Sequence, residues 1–580
     1  MTRAAPVMSI AEAHRLLTSP GARFEMEALD RGGRPVRAWK NGPKSLVDLY
    51  MGAAAFSTRT FMVYEQERVS FDAFRRAAMA FAQALIAHGV AKGDRVAIVM
   101  RNQPEWPVVF YGVALVGGIA TPLNAWWSAA ELAFAIKQSG ATVAVFDEER
   151  FERVRDVLPE CADVRLRFVS RHIGPVPDGV RSLEGLIGRP DDWARLPPAG
   201  APPRAVGPED SATLFYTSGT SGLPKGVLAT HRAVTTPIFA TLLSHARAFV
   251  RRGEVPPVPD PNTKQKRYLL AIPLFHVTGC FSTLAIAMAV GGMLVLLRKW
   301  EPEAAMALIA RERIAAIGGV PTIAWQLLEH PRRHEYDLSS VDAVSYGGAP
   351  AAAELVRRLR QDFPAAHVGC GWGMTETCAT LTHHFAEDCE DRPESCGPAT
   401  PVADLKIVDA DGVTLPIGEI GELWVRGPHV ITGYWGMPEA AAAADGWLRT
   451  GDLARLDHEG FCYIVDRAKD VIIRGGENIY SVEVENVLYH HPAVMDAALV
   501  PIFHPILGEE AGAVVTLKPG AQASEDELKA FVRHRLAAFK TPTRILTHDA
   551  PLPRNANGKI IKAELRKLFV GRASTEPIEL

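Results

Sequence analysis

Leu214-Phe-Tyr-Thr-Ser-Gly-Thr-Ser-Gly-Leu-Pro-Lys-Gly-Val227 is the stretch on which the reading of this chain turns. An apolar, β-prone run, Leu214 to Tyr216, stops abruptly in four hydroxyls: Thr217, Ser218, Thr220 and Ser221. Gly219 and Gly222 let the backbone take positive φ and approach a ligand closely. Pro224 stiffens the path to Lys225, which supplies a positive charge. A strand feeding a loop of N–H, O–H and ammonium donors presents them to a polyphosphate. The loop is not a Walker A motif, where Ser or Thr follows Gly-Lys. Here Gly226 follows Lys225, so a Walker-type ATPase is disfavoured. Ser/Gly-rich composition also suits a plain linker, but a linker needs neither the strand before it nor the lysine after it.

The loop resembles the phosphate loop of the acyl-adenylate-forming superfamily: acyl-CoA synthetases, peptide-synthetase adenylation domains and firefly-type luciferases. That resemblance implies, further along and in order, an aromatic-Gly-x-Thr-Glu segment, a Thr-Gly-Asp and a C-terminal Gly-Lys. The chain carries Trp372-Gly-Met-Thr-Glu376, Thr450-Gly-Asp452 and Gly558-Lys559. The resemblance runs from about Ser45 to Leu568, nearly the whole chain.

At 580 residues the chain is too long for one ordinary domain. Apolar residues make up 48% and charged residues 22%, which supplies a large core and excludes global disorder. A net charge of −3, with the signs mixed along the chain, gives no bulk attraction to nucleic acid. The seven scattered cysteines contain no Cys-x-x-Cys pair. A zinc site or disulfide framework is therefore not expected, and a reducing, cytoplasmic compartment is. His383-His384, near Cys378 and Cys389, matches no zinc spacing and reads as surface or packing. The first residues lack the basic start and apolar run of a secretory signal. Leu269 to Leu297 is long and apolar enough for a membrane span. Pro273, His276, Thr278, Ser282 and Gly291-Gly292 interrupt it. It reads instead as strand (Leu269–Leu274), helix (Phe281–Val290) and strand (Met293–Leu297) inside an α/β core.

Up to about Asn41 the chain reads as an irregular arm. From Ser45 strands and helices alternate, with helices at Phe71–Gly89 and Pro104–Val116 and strands at Arg95–Met100 and Thr142–Phe146. This pattern predicts doubly wound, parallel α/β sheets. The adjacent Trp126 and Trp127 read as packing. Gly188–Pro208 and Arg251–Arg267, rich in proline and polar or charged groups, read as connectors, the second an exposed loop. From about Cys396 short strands and turns predict a β-barrel-like subdomain. Beyond the hinge region a small α+β domain of about 110 residues follows. The expected organisation is an N-terminal domain over 1–466, its β-subdomain at about 396–466, and a C-terminal domain over 467–580.

Several segments carry candidate chemistry. Phe275-His276-Val277 and Gly279 end a strand, where α/β folds bind ligands, although a satisfied core histidine is the plainer reading of His276. Tyr346-Gly347-Gly348-Ala349-Pro350 is a strand end plus a glycine turn. In Gly371-Trp372-Gly373-Met374-Thr375-Glu376, the indole can stack on a base, Thr375 can bond a phosphate and Glu376 can hold Mg²⁺. A helix N-cap is the plainer reading of one Thr-Glu. Asp452, read at the end of a strand, can grip a ribose diol through both carboxylate oxygens, although an ordinary turn aspartate is the plainer reading. Gly558 suits a tight turn that projects Lys559, which by itself would read as a solvated lysine.

The resemblance implies an ATP-dependent carboxylic acid–CoA ligase that uses ATP, Mg²⁺ and coenzyme A. It puts the leaving phosphates on Thr217 to Lys225 and adenine on the Gly347–Pro350 turn. Arg467 contacts the nucleotide, and Lys559 is catalytic together with Thr375, Glu376 and His276. Lys469 falls on the hinge of a mobile C-terminal domain. Rotation there withdraws Lys559 and brings in Gly475, Gly476 and Glu477 for the pantetheine arm of CoA. Ile473-Arg474-Gly475-Gly476 stands where luciferases and coumarate ligases carry Lys-x-Lys-Gly, which disfavours a luciferase reaction and favours acyl-CoA synthetases of the Gly-Gly-Glu-Asn kind. His276, where peptide-synthetase domains commonly place aspartate, argues for an acid without an α-amino group. The acyl pocket falls on Phe275, His276, Val277, Gly279, Gly319, Tyr346, Gly371 and Met374. These are mostly apolar or small, so medium- or long-chain fatty acids are expected first, with benzoate- or cinnamate-type aromatic acids as the alternative. An enzyme that loads a carrier protein and a non-catalytic nucleotide-binding protein remain further alternatives. The expected partners are the acid, ATP and CoA, with no nucleic acid, no transmembrane segment, and room for a homodimer.

Overall fold

Val96-Ala97-Ile98-Val99 and Val143-Ala-Val-Phe146 are apolar on both faces, the pattern of strands covered by helices on each side. They sit in a computed structural model that describes residues 6–31, 33–217, 224–348, 353–431, 433–437, 446–555 and 558–569. Their sheet has seven strands, in the order Lys225–Thr230, Ser211–Thr217, Ile119–Pro122, Arg95–Val99, Val143–Asp147, Leu166–Ser170 and Arg181–Ser182. All neighbours pair in parallel except the first two, which form a hairpin. The helix Phe71–Ala87 starts where the Ser70 side chain accepts the Ala73 N–H, and it buries Phe71, Phe74, Ala78, Phe81 and Leu85. Full burial of each large apolar side chain is worth roughly 1.5–3 kcal/mol. Every residue of the helix Glu105–Leu115 is buried, so its hydrophobicity runs all round rather than along one stripe.

A second sheet of eight strands runs Ala379–Phe385, His367–Met374, Ala343–Gly347, Ala316–Gly319, Arg267–Leu270, Met293–Leu296, Thr60–Tyr64 and Glu67–Ser70. It is parallel in the middle and antiparallel at each end. Between Gly397 and Arg467 lies a five-stranded antiparallel sheet that buries Ile407, Leu423, Val425, Leu448 and Ala454. The C-terminal unit is built on a long hairpin, Val494–His504 with Gly508–Leu517, covered by the helices Ser481–Tyr489 and Glu525–Arg533. This is a mixed α/β architecture with a large N-terminal part and a small C-terminal one.

Three expectations need correction. The first 41 residues are not an irregular arm. They hold a helix, Ile10–Thr18, closed by a Ser9/Glu12 capping box, and a hairpin, Met26–Asp30 with Pro35–Trp39. Ile10, Ala13 and Leu17 face inward at helical spacing, and Phe24 and Trp39 pack on Phe239. Asp452 lies inside a strand, Leu448–Leu456, rather than at its end. Of the two adjacent tryptophans, Trp127 is buried but Trp126 is 44% exposed.

The Arg251–Arg267 stretch is an exposed loop after its first residues, yet it is anchored: Arg59 donates to the carbonyls of Asp260 and Pro261, and Gln265 to those of Thr60 and Gly291. The apolar Leu269–Leu297 segment is interior, and its helix opens with a π-helical stretch, Thr278–Leu284. No helix among the described residues is long and apolar enough to cross a membrane. His383 bonds Ser244 of the long helix His231–Arg251, while His384, on the other face of the strand, bonds the Asp388 carbonyl and packs on Phe461, and no group of metal-ligating side chains occurs among the described residues.

Candidate active site

Thr217 ends one strand and pairs directly with Lys225, which begins the next, so the strands on either side of the hydroxyl-rich stretch are antiparallel neighbours. Ser218, Gly219, Thr220, Ser221 and Gly222 lie outside the described residues, as do Ala349 and Pro350 of the glycine turn. The Lys225 ammonium lies 5.2 Å from the ring centroid of Tyr434. The Tyr434 hydroxyl donates to Glu376 Oε1 at 2.7 Å. Glu376 is buried, and its backbone carbonyl accepts the Ile431 N–H. Burial, reinforced by the Glu376 carboxylate, raises the phenol's pKa and keeps it a donor. Lys225 and Glu376, 151 residues apart in sequence, are thus bridged by one tyrosine that the sequence reading missed. Its signal was the aromatic pair in Gly433-Tyr434-Trp435-Gly436.

Close backbone approach explains the glycines. A Cβ on Gly347 would sit 2.7 Å from the Gly371 carbonyl oxygen, and one on Gly373 would collide with the Ala379 carbonyl at 1.7 Å. Cys378 and Ala379 both hold positive φ, at 52° and 90°, a strained pair directly after Thr375-Glu376-Thr377. The Thr375 side chain has no partner among the described residues.

Trp372 is fixed by its edge: its indole N–H donates to Asp452 Oδ2 at 2.8 Å. Asp452 Oδ1 lies 3.3 Å from Arg467 Nε, its cross-strand partner. Each carboxylate oxygen keeps a lone pair for a further donor, as a diol requires.

Lys559 closes the site. Gly558, at φ +72°, sits so close to Val320 that a Cβ would come within 2.8 Å of its side chain. The backbone N–H of Lys559 is held by Asn555 Oδ1 at 3.1 Å. Burial, with Arg467 adding to it, depresses the ammonium's pKa to about 8, against the pull of Asp452 and Glu376. His276 is pushed down to about 3, by burial first and then by Lys559, so its ring is neutral, and its Nε2 is buried without a hydrogen-bond partner. The structure therefore brings Lys559, Asp452, Glu376, Arg467 and His276 together from segments spread over nearly 300 residues.

Lys469 is exposed in the turn after the strand Phe461–Arg467, and its charge joins that of Arg467 in depressing the Lys559 pKa. Other predicted residues fall elsewhere. Gly475, Gly476 and Glu477 form the exposed tip of a small hairpin against Leu507, away from this cluster. Gly319 and Tyr346 point to the opposite sheet face, against Ile323 and the outer helices, because strand side chains alternate. Gly279 abuts the Pro273 carbonyl and Val277 packs in the core, so neither presents a side chain to a ligand.

The inner face of these strands carries Gly318, Ser345, Gly347 and the expected Gly371. A Cβ on Gly318 would meet only Thr283 Oγ1, at 3.9 Å. The π-helical stretch packs against this face, where Ser282 Oγ lies 3.4 Å from Thr380 Oγ1 and Thr283 lies nearest Gly318. Phe275 lines a 170 Å³ cavity with Ile272, Trp126, Arg101, Lys299 and Gly558. Arg101 lies over the Trp126 ring at 5.2 Å.

Residues 50–435 match the model of the AMP-binding enzyme family, and residues 483–559 match that of the AMP-binding enzyme C-terminal domain. A feruloyl-CoA synthase of an Amycolatopsis species is 34% identical over 490 residues, covering 84% of this chain and 91% of that protein. A long-chain-fatty-acid–CoA ligase of Mycobacterium tuberculosis is 32% identical over 513 residues, covering 87% and 93%. The crystal structure of an anthranilate CoA ligase in complex with anthranoyl-AMP matches with a TM-score of 0.79 at 25% identity, over 90% of this chain and 97% of that one. With the family models spanning most of its length, the chain belongs to the AMP-binding enzyme family, as an AMP-forming acid–thiol ligase.

Proposed function

We propose that this ligase activates a carboxylic acid with ATP as an acyl-adenylate, releases diphosphate, and passes the acyl group to the thiol of CoA with loss of AMP. The observation that carries this reading is the half-buried Lys559, its ammonium under the charges of Asp452, Glu376 and Arg467 and acting on His276. The reaction asks for positioning and charge stabilisation more than for covalent chemistry by the protein. Lys559 and Thr375 hold the α-phosphate region, and Lys559 draws in the acid's carboxylate. Lys225 and the loop before it receive the leaving phosphates. Asp452 takes the ribose, and Gly347 and Trp372 flank the base. The Glu376 carboxylate is buried with one oxygen on Tyr434 and suits a hard cation, so it is the residue that would hold Mg²⁺, which supplies charge neutralisation on the phosphates. A division near Arg467–Lys469 into N-terminal (1–466) and C-terminal (467–580) domains fits the exposed turn there, and rotation about Lys469 would carry Gly475 and Gly476 inward. The cavity at Arg101, Trp126 and Lys299 reaches Phe275 beside His276, which supports it as the entry of CoA, its phosphates on the two cations.

Medium- or long-chain fatty acids fit the small and apolar wall. The Ser282–Thr380 contact favours the second reading, an aromatic acid, because two hydroxyls beside the glycine-bearing sheet face interrupt the smooth apolar surface a long saturated tail needs. Formation of AMP and thioester with ATP, Mg²⁺ and CoA across straight-chain and aromatic acids tests both. Thioester from straight chains alone removes the aromatic reading. Pyrophosphate exchange without any thioester replaces CoA by a carrier protein.

A further inference from the structure

A closed circuit of hydrogen bonds fixes the segment that carries Tyr434. Gln138 lies half-buried in the last turn of the helix Ala129–Ser139, and its carboxamide meets two other elements. Oε1 accepts from the hydroxyl of Tyr216, which immediately precedes Thr217 in its strand. Nε2 donates to the Trp435 carbonyl at 3.3 Å. A carbonyl can only accept, so the amide nitrogen faces Trp435 and the amide oxygen faces Tyr216. In return the Trp435 indole N–H donates to the Gln138 carbonyl at 3.1 Å. The Trp435 backbone N–H donates to the Gly226 carbonyl at 2.8 Å. Gly226 pairs with Tyr216 across the strands, which closes the circuit.

The circuit is tightly packed. A Cβ on Gly226 would come within 3.1 Å of Trp435 Cβ and 3.4 Å of Tyr216 Cζ, so side chains crowd this glycine from both sides. Arg95 donates to the Ser139 and Gly140 carbonyls at the helix end, and its guanidinium lies 5.6 Å from the Trp435 ring centroid. Tyr216 is buried, and burial raises its phenol pKa, which keeps the hydroxyl a donor. Residues 433–437 make a short turn, bridged to the sheet where Tyr434 pairs with Val227. The carboxamide of Gln138 therefore holds this turn from the side opposite the sheet bond, one residue away from the tyrosine whose hydroxyl meets Glu376.

We propose that Gln138 is a positioning residue for the metal-and-polyphosphate end of the site: by holding Trp435 it sets where the Tyr434 hydroxyl meets the Glu376 carboxylate. The proposal rests on the acid–CoA ligase reading and adds to it a residue that acts through Tyr434. With the amide bonds in place, the carboxylate is oriented before a nucleotide arrives. Without them the turn loses its tie to the helix, and the Tyr434 hydroxyl its fixed place over Glu376.

Two measurements test this in Gln138→Met, Tyr216→Phe, Tyr434→Phe and the double variant Gln138→Met/Tyr434→Phe. One is calorimetry of ATP binding with Mg²⁺ and no acid. The other is acid-dependent pyrophosphate exchange, titrated with ATP, Mg²⁺ and acid. Gln138→Met keeps the length of the side chain and removes both amide hydrogen bonds. Its Kd for ATP with Mg²⁺, and its half-saturating Mg²⁺ concentration, are expected to rise about 5-fold or more. The KM for the acid and thioester formation from premade adenylate hold. Tyr216→Phe, nearly isosteric, moves the same constants in the same direction by less. In the Tyr434→Phe background Gln138→Met adds little, because residues that act through one another are not additive. A structural staple alone would lower the melting temperature and the active fraction and leave these constants in place. Unmoved constants in Gln138→Met, or in Tyr216→Phe where Gln138→Met does not fold, overturn the proposal. So does a Gln138→Met effect of equal size with and without the Tyr434 hydroxyl. Absence of acid-dependent exchange in the wild-type enzyme overturns it together with the ligase reading beneath it.

Discussion

The indole N–H of Trp372 donates to the carboxylate of Asp452 at 2.8 Å, tying the second sheet to the five-stranded antiparallel sheet at the residue we propose for the nucleotide's sugar. Asp452 is held on its other side by Arg467, so its orientation is set before any ligand arrives. Trp372→Phe keeps a flat ring and removes the donor. A hydrogen bond to a charged group contributes about 1.5–3 kcal/mol. The expected outcome is a KM for ATP raised by about 10-fold or more, with the KM for the acid little changed, measured by pyrophosphate exchange.

Lys559 gives a pH signature. Its pKa is depressed to about 8, and the ammonium is the form that stabilises developing phosphate charge. Below that value the group is charged and adenylate formation proceeds. As pH rises through it the proton leaves and kcat/KM for adenylation falls. Saturating ATP shifts this limb upward, since polyphosphate favours the charged form. Lys559→Ala should slow adenylation by about 10²–10³-fold, remove the limb, and spare thioester formation from premade adenylate. Equal loss of both half-reactions would contradict this division of labour.

Tyr434→Phe removes the hydroxyl that donates to Glu376. The carboxylate is then left buried with one donor fewer, a change of about 1–3 kcal/mol in its environment. The Mg²⁺ concentration that half-saturates pyrophosphate exchange should shift by several-fold, while CoA-dependent steps from premade adenylate hold. An unchanged Mg²⁺ titration would remove the bridge from the account.

Lys299→Ala and Arg101→Ala test the cavity beside Phe275. If the two cations meet the phosphates of CoA, each substitution raises the KM for CoA by several-fold, and the effect shrinks in high salt because exposed charges are screened. Pantetheine, which has no phosphates, should show no such change. Equal effects on both thiols would assign the residues to shaping the cavity rather than to binding charge.

The strand–loop–lysine at Leu214–Val227, the Thr-Glu at 375–376, Asp452 and Gly558-Lys559 were legible because each motif is local and its residue types match a chemistry. The N-terminal helix and hairpin were misread because Ile10, Ala13 and Leu17 are diluted by charge, so the periodic signal is faint until Phe239 is beneath it. Gly319 and Tyr346 were placed in the pocket in preference to Gly318 and Ser345. A one-residue step along a strand reverses the face, and spacing alone does not say which face meets the ligand.

What the sequence determined by itself is the family, the order of the parts and the reaction, since those depend on which groups are present. What only the tertiary structure decided is how the groups meet. Tyr434 bridges Lys225 and Glu376, Trp372 fixes Asp452, and Val320 seats Gly558. These pairings join residues 58 to 238 positions apart through sheet register and burial. Such contacts form only when the chain's long-range packing overcomes the entropy of bringing its distant segments together.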